Sequence, residues 1–560
     1  MKKTVNSLSK WIPILFFILL FCAAWILHDD YGGFTDELLH IQTAEVNYKY
    51  VLSKFLPEDK IPDVPIYDLD TIPDLYNYVN QYYGEAVMMP TILVSILPGV
   101  NFSTADFLNF RRFYTFLNFF ITLISFYFLM KFRFSNQQIA FVSVLFLVFS
   151  PRLFAESFYN SKDIIFFCWF FISIFGIGLF LLQNNCWGLI IFAIALGFSV
   201  NTRIYGIVLL PAFLYLSIVD HFINHRSSKR RLFYIFLTIL FALLFYLIIT
   251  PFLWENPFQQ FLNAINFSSQ QVGIDPNNLN QLEKEVTLGN QELFFNDYIF
   301  PGKTWYYIPA WIGLTIPVIN ILFFFLGIIY FLRQSFQIKN VFSMNSNYLF
   351  DGFCLLLFFI SLISIIISRA TMYHGWRQSY FLYAPFIITN ALGFAHLWNQ
   401  QLNTKKQWVI KNSILLLTCL ISFLSTGFWM IKNHPFDFVY FNEIGRYFAQ
   451  QFTRDYWGVA SKSCIQEVDR HYIDGDPIRL GVNADLTYGS AQNSLLRFPE
   501  ETQAHFQVIW KNENADYLCF SYKNIPGNSH PIPGFEIIKT FQVDGYDVAA
   551  VYRRIEKNLP

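Results

Sequence analysis

The heptapeptide FTDELLH, residues 34–40, places two adjacent carboxylates, Asp36 and Glu37, directly after an apolar run that begins near Trp11. A carboxylate that faces water can act as a general base and take a proton from a reacting hydroxyl. His40 follows Asp36 by four residues, and the two would share one face of a helix. The spacing therefore predicts a proton acceptor at the end of a hydrophobic segment.

Other charged residues also stand at the ends of apolar runs. They are Arg111 and Arg112, Arg152 and Asp163 in SPRLFAESFYNSKDI, Arg203 in NTRIYG, Lys303 in FPGKTWYY, and His374 and Arg377 in YHGWRQSY. Any one of them has an ordinary explanation, because an Arg can extend to a headgroup and an Asp can cap a helix. As a set they combine a base with cations that hold a phosphate. This chemistry suits transfer of a sugar from a lipid phosphate, with the leaving phosphate stabilised by the cations.

The composition indicates a membrane protein. Of the 560 residues, 54% are apolar and 14% are charged, and the mean hydropathy is +0.37. Soluble domains carry about 25% charged residues. The net charge is zero, so no basic footprint for nucleic acid is predicted. Neither a GxGxxG sequence nor a P-loop is present, so no nucleotide-sugar domain is expected. The fold class predicted is a polytopic α-helical membrane protein with a smaller soluble part.

Eleven apolar segments are candidate membrane spans, of which the short 186–201 is the weakest. They are 11–28, 108–131, 137–152, 163–183, 186–201, 204–222, 232–252, 305–332, 349–368, 377–398 and 411–431. We interpret the first as an uncleaved span, since no clear cleavage site follows it. The segment 88–100 is short and rich in proline, and we expect it to lie at the membrane interface.

Loop charge predicts the orientation. Loops such as NHRSSKRR carry Lys and Arg and are expected inside, whereas the long loops 29–107 and 253–304 are expected outside. This divides the chain into a transmembrane module, residues 1–431, and an outer α/β domain, residues 432–560. Stretches such as PIRLGVNA and GYDVAAVYRR alternate as strands do, and DYWGVASKSCIQEVDRHY has helical spacing. The domain's two cysteines, Cys464 and Cys519, could form a disulfide in an oxidising compartment, which their spacing leaves open.

An ordered series of motifs resembles a known family. The acidic pair followed by LLHIQTAEVNY, then SPRLFAESFYNSKD, NTRIYG, FPGKTWYYIPAW, YHGWRQSYFLYAPF and HPFDFVYFNEIG…DYWG, is similar to protein O-mannosyltransferases and their bacterial family 39 relatives. These are polytopic glycosyltransferases of the C superfamily that use polyprenyl-phosphate sugars. The series touches most of the chain. The resemblance implies an inverting sugar transfer on the outer side of a bacterial inner membrane.

The resemblance also implies roles for single residues. Asp36 would be the catalytic base, Glu37 its supporting neighbour and Asp163 a second acid. The donor phosphate and the rest of the substrate would be held by residues from several loops: His40, Arg152, Arg203, Lys303, His374 and Arg377. His374 stands where the family pattern has an acid before GWR, and Glu156 stands where it has His. The sugar pocket is therefore open at this point, as is the acceptor, which could be a lipid, a glycan or a protein.

Three alternatives remain at this point. Asp36, Glu37 and His40 could ligate a divalent cation, although a hydrogen-bonded base is the commoner use of such a trio and no metal site is assigned. A lipid or sugar transporter or flippase would also need many spans and polar groups. Transporters show internal repeats and charges near the membrane midplane, and neither is found here. A non-catalytic scaffold gives no reason for Arg and Asp to gather at the ends of separate spans.

Overall fold

The structure is a computed structural model of the chain. It describes residues 2–223, 229–270, 291–300, 304–338, 344–369, 372, 375–473, 475–483, 485–510, 514–528 and 531–555. Within these ranges, side chains are described for all but 2–10, 229–230, 268–270 and 485–487.

Helices dominate the first 433 residues. In the described part of the chain, eight are long and apolar enough to cross a membrane: Thr104–Phe134, Asp163–Gln183, Ile204–Ile223, Arg231–Ile248, Val318–Gln337, Ser346–Ser368, Arg377–Asn399 and Lys405–Asn433. Two shorter apolar helices, Trp11–Leu27 and Trp187–Thr202, coincide with the predicted spans 11–28 and 186–201. The chain is therefore a multi-pass integral membrane protein.

The predicted span 137–152 is not one straight helix. A helix runs from Gln137 to Val148, a second runs from Pro151 to Tyr159, and the two are bent by 70°. Proline has no amide hydrogen and disfavours helical backbone at the residue before it, so the helix stops ahead of Pro151. The bend carries the second helix, and Arg152 with it, across the end of the bundle.

The prediction of a single span over 305–332 is wrong for the same reason. A helix Tyr307–Thr315 ends before Pro317, and a new helix Val318–Gln337 begins after it. Hydropathy alone does not register this break, because the run stays apolar across it.

The long loop after the first helix is mostly ordered as short elements. A helix Glu37–Ser53 begins at the acidic pair, and a seven-residue helix Met89–Ser95 lies within the predicted interfacial segment 88–100. Helix Thr104–Phe134 then starts with a capping box formed by Ser103 and Asp106.

A small hairpin and a mixed sheet make up the strands. The hairpin pairs β1, Glu292–Phe294, with β2, Asp297–Ile299. The sheet has five strands in the order β4-β3-β5-β7-β6: β3 Ile478–Val482, β4 Phe506–Trp510, β5 Tyr517–Ser521, β6 Phe535–Val543 and β7 Tyr546–Arg554. Strands β3, β4 and β5 are parallel, and β7 runs antiparallel to β5 and β6.

Helices Ser461–Asp469, Asp485–Leu495 and Glu500–Ala504 accompany the sheet, as expected for an α/β domain. Cys464 and Cys519 are both buried and both are free thiols.

Successive membrane helices run in opposite directions, so the start of one helix and the end of the next lie at the same end of the bundle. Asp163 begins its helix, Arg203 follows the end of helix Trp187–Thr202, and Arg377 begins helix Arg377–Asn399. All three therefore lie at the same end of the bundle. At the opposite end, the Arg133 guanidinium pairs with the Asp351 carboxylate, with Nε 2.8 Å from Oδ1.

Candidate active site

The acidic pair lies where the chain turns from the loop into helix Glu37–Ser53. Asp36 is at the N-cap position of this helix, yet its side chain makes no capping hydrogen bond. A capping aspartate would accept a backbone N–H from the first turn. Among the described donors, the Trp457 indole comes close enough to the Asp36 carboxyl to lower its pKa. Asp36 is therefore not used as a helix cap and remains available to a substrate.

Glu37 has the opposite environment. Its carboxylate is buried and pairs with Arg112 at 3.5 Å on one side and with Arg497 on the other. Burial would raise the pKa of Glu37, but the two guanidinium groups outweigh it and lower the pKa overall. Arg112 also donates to the backbone carbonyls of Tyr31 and Gly32. Glu37 thus ties the loop to helix Thr104–Phe134 and to the C-terminal region.

The C-terminal region also holds the loop through its backbone. The Gly33 amide donates to Ser494 Oγ at 2.7 Å, and Asn493 Nδ2 donates to the Phe34 carbonyl at 2.7 Å. A Cβ on Gly33 would lie 2.5 Å from the Asn493 backbone, and one on Gly32 would lie 2.0 Å from a facing carbonyl. The two glycines before the acidic pair are therefore what allows the C-terminal region to approach so closely.

Asp163 is the centre of a buried ion cluster. Its Oδ2 lies 3.2 Å from Arg377 Nη1, and Oδ1 pairs with Arg203. Asn160 Nδ2 donates to Oδ2 at 3.2 Å, and the Asp163 amide donates to Asn160 Oδ1 at 2.8 Å. The structure thus brings Asp163 together with Arg203, 40 positions later in the sequence, and with Arg377, 214 positions later.

Arg377 links this cluster to Asp36. Its guanidinium lies 4.0 Å from the ring centroid of Trp457 and 5.4 Å from that of Tyr456. Burial raises the pKa of Asp36 and so does Asp163, while Arg377, the Trp457 indole and Lys523 lower it; the net shift is upward. A carboxylate with a raised pKa is a stronger base than a free aspartate.

His40 lies beside the Asp163 cluster, and its imidazole is neutral. Its Nδ1 lies 3.3 Å from Ser161 Oγ. Burial, with Lys162 and Arg111 nearby, lowers the pKa of His40 well below its usual value. A neutral imidazole can contact a hydroxyl but adds no charge to a phosphate site.

Arg152 lies apart from the Asp163 cluster. Its Nε donates to the Tyr440 carbonyl at 2.7 Å, and its guanidinium lies 5.1 Å from the Trp311 ring and 4.9 Å from the Phe441 ring. It therefore packs the bent helix against the chain that follows the last span. Lys303 and His374, the other predicted substrate contacts, lie outside the described residues.

The predicted trio of Asp36, Glu37 and His40 is not arranged as a metal site. Glu37 is committed to two arginines, and the described residues contain no group of three or more His, Cys, Asp or Glu side chains that could hold a metal ion.

Sequence reasoning missed the residues that the C-terminal region brings in. Trp457 and Lys523 are close enough to Asp36 to affect its pKa, and Arg497 pairs with Glu37. DYWG was noted only as a family-like motif, and nothing in the spacing of Arg497 or Lys523 signals contact with residues more than 400 positions earlier. Lys162 was missed as well: it pairs with Glu85 at 3.0 Å next to the cluster.

Comparison with known proteins agrees with the resemblance seen in the motifs. Residues 110–254 match the family model described as dolichyl-phosphate-mannose-protein mannosyltransferase. The matched stretch is about a quarter of the chain. It includes Asp163 and Arg203 and ends before Arg377. A search of curated proteins returned no significant match.

The solved structures to which the chain is similar include an oligosaccharyltransferase and ArnT. The apo oligosaccharyltransferase of Archaeoglobus fulgidus aligns with TM-score 0.47 and 13% identity over 83% of this chain and 60% of that one. This chain thus spans 60% of the archaeal protein's length. ArnT from Cupriavidus metallidurans aligns over 98% of both chains in its apo state, with TM-score 0.43 and 12% identity. Its complex with undecaprenyl phosphate aligns with TM-score 0.40 and 11% identity, over 97% of this chain and 98% of that one.

Proposed function

We propose that this protein is a membrane glycosyltransferase that moves a sugar from a polyprenyl-phosphate donor to an acceptor hydroxyl, with inversion and with Asp36 as general base. The observation that carries the proposal is the state of Asp36. Its carboxylate has a raised pKa, makes no capping bond and lies beside the Arg377–Asp163–Arg203 cluster. The matched family takes its name from a lipid-phosphate sugar, which is the class of donor proposed here.

The proposed reaction moves one negative charge across the site. The acceptor oxygen attacks the anomeric carbon as its proton passes to Asp36. The bond between that carbon and the phosphate oxygen breaks, and its electron pair leaves with the lipid phosphate. Asp36 becomes neutral while the phosphate gains a second charge. Arg377 lies near Asp36 and near the cluster, so it can balance the charge before and after transfer.

In this scheme Asp163 positions cations and does not take a proton. Both of its oxygens are engaged, one by Arg203 and the other by Arg377 and Asn160. Arg203 and Arg377 would contact the donor phosphate, since guanidinium groups held rigidly by a carboxylate are pre-organised for a second anion. The Arg203 side chain is 23% exposed, which leaves it within reach of a ligand.

An apolar groove offers a place for the lipid chain. A cavity of about 350 Å³ lies between helices on either side of Arg203, with Val200, Ile207, Leu247 and Phe261 in its wall. Val200 and Ile207 are only three and four residues from Arg203 in sequence. Larger apolar grooves lie along the first helix, lined by residues such as Pro13, but no residue of the cluster lines them. The groove beside Arg203 is therefore our proposed path for the polyprenyl tail.

The site favours transfer over transport. The polar residues gather at one end of the bundle, as the ends of their helices require, whereas a transporter would place its binding charges near the membrane midplane. We accordingly propose that the site faces the outer side of a bacterial inner membrane, in keeping with the loop charges.

Replacement of Asp36 by Asn tests the proposal. Asn keeps the shape and the capping ability of Asp but removes the base. Single-turnover transfer from a synthetic polyprenyl-phosphate sugar by purified protein should fall by about 10²–10⁴-fold, the usual contribution of a general base. Donor binding and thermal unfolding should stay close to those of the parent.

Asp106→Asn is the matched control, since Asp106 is also an acid at the start of a helix but belongs to an exposed capping box. That variant should transfer sugar at the parental rate. Near-parental transfer by Asp36→Asn would exclude Asp36 as the base.

A further inference from the structure

A tight loop after Phe452 places two aromatic residues, Tyr456 and Trp457, beside Arg377 in the candidate active site. Within it, the buried Asp455 carboxylate accepts the amides of Val459 at 3.0 Å and Ala460 at 2.8 Å. The loop is thereby folded back on itself just before helix Ser461–Asp469. A carboxylate that binds two amides fixes the backbone between them, so Asp455 fixes the position of Trp457.

Trp457 fills the space between the acidic loop and the cation cluster. Its ring centroid lies 4.9 Å from that of Phe34 and 6.0 Å from that of Tyr159, and the Arg377 guanidinium stacks at 4.0 Å. Only 3% of the residue is exposed. The indole ring is thus held by packing on several sides, and its N–H is the polar group left to meet a ligand.

The edge of this indole carries an unsatisfied group. Trp457 Nε1 is buried and has no hydrogen-bond partner among the described residues. It is near enough to Asp36 to lower the pKa of that carboxyl, although the two do not reach hydrogen-bonding geometry. An unpaired buried donor costs about 1–3 kcal/mol. Unlike other such donors in the described part of the chain, this one lies beside the carboxyl of Asp36, where a bound substrate would supply an acceptor.

We propose that Trp457 is a substrate-binding residue whose indole N–H donates to the donor-sugar hydroxyl next to the reacting carbon. This inference rests on the proposed function, because it requires the anomeric carbon to lie beside Asp36. A sugar placed there brings the hydroxyl of the adjacent carbon within reach of the groups that flank the base. Hydrogen bonds to that hydroxyl strengthen in the transition state of glycosyl transfer, when the sugar gains positive charge.

The proposal gives the C-terminal region a direct part in catalysis. Trp457 lies beyond the last membrane helix, which ends at Asn433, and Lys523, the other residue of this region near Asp36, follows strand β5. Recognition of the sugar would then be shared between the membrane module and the α/β region.

The test combines a variant with a changed substrate. Trp457→Phe keeps an aromatic ring against Arg377 and removes the N–H. On the polyprenyl-phosphate sugar that the parent enzyme uses, we expect kcat to fall about 10-fold, the loss of one hydrogen bond. On the 2-deoxy analogue of the same donor, which lacks the proposed partner, the variant should match the parent. Independent losses from the two changes would overturn the proposal.

Two further arms keep the result interpretable. Trp169→Phe removes another buried indole N–H that has no described partner, in helix Asp163–Gln183, and should leave both donors unaffected. If Trp457→Phe does not fold, replacement of Trp457 by benzothienylalanine exchanges the N–H for sulfur in a ring of nearly equal shape and is read in the same way.

The outcome also separates this inference from the proposed function. An inactive Asp36→Asn together with additive losses for Trp457→Phe would reject Trp457 alone. An active Asp36→Asn would reject both.

Discussion

Replacement of Asp163 by Asn should separate the anchoring of cations from proton transfer. The change removes a carboxylate that pairs with both Arg203 and Arg377. Loss of one partner from a buried ion pair costs about 3–5 kcal/mol. Asn can still contact Asn160 and Arg203 is partly exposed, so we expect about 3 kcal/mol of unfolding free energy to be lost. The arginines would also lose their fixed geometry, and donor Kd should rise about 10-fold, or about 1.4 kcal/mol.

The pH dependence of the same variant gives a second readout with a definite sign. Asp36 acts as a base only when deprotonated, so transfer is lost as pH falls through its raised pKa. Asp163 raises the pKa of Asp36, since two negative charges repel. Asp163→Asn should therefore move the acid limb of the pH–rate profile to lower pH.

Thermal unfolding, donor titration and single-turnover rates at several pH values measure these effects. Asp351→Asn is the matched control, because it breaks a buried Asp–Arg pair at the opposite end of the helices. It should lower stability without changing donor affinity or the acid limb. Our reasoning would be refuted if Asp163→Asn cut transfer by about 10²–10⁴-fold at saturating donor and abolished the acid limb, as loss of the base would.

Two further substitutions test neighbouring residues. Arg377→Ala should weaken binding of the polyprenyl-phosphate sugar and slow transfer, and Arg377→Lys should restore only part of both, because Lys lacks the planar fork; equal donor binding by Arg377→Ala and the parent would contradict the clamp. Glu37→Gln leaves Arg112 and Arg497 without their carboxylate and should cost about 3–5 kcal/mol of unfolding free energy, with a smaller effect on transfer than Asp36→Asn. Because the pKa of Glu37 is lowered, its stabilisation should persist down to pH values below the usual Glu range, which thermal unfolding against pH would check.

The membrane helices could be predicted because their signal is local. A run of apolar residues long enough to cross a bilayer can be recognised without knowledge of the tertiary structure. Each of the eleven predicted segments contains helix. The two predicted segments that are not single straight helices each contain a proline, Pro151 or Pro317, inside an apolar run. Hydropathy averages over a window, so it cannot report a break that depends on one missing amide.

The candidate site was predictable only as a set of chain positions. Asp163, Arg203 and Arg377 mark helix ends, and alternation of the spans puts them at one end of the bundle. Which of them pair was not predictable, and Arg152, which follows the same rule, is turned away by the bend at Pro151 to donate to Tyr440. The acidic pair likewise looks like one unit in sequence, although its two carboxylates have opposite environments.

The sequence by itself determined the class of protein, the spans and the end of the bundle where charges collect, since these follow from composition, length and alternation along the chain. Only the tertiary structure decided that Glu37 is held by Arg497 and that Trp457 lies between Arg377 and Asp36. Such contacts join residues far apart in the sequence, by 460 positions for Glu37 and Arg497. They depend on close packing of surfaces, which the glycines before the acidic pair allow, and surface complementarity has no signature in the spacing of residues.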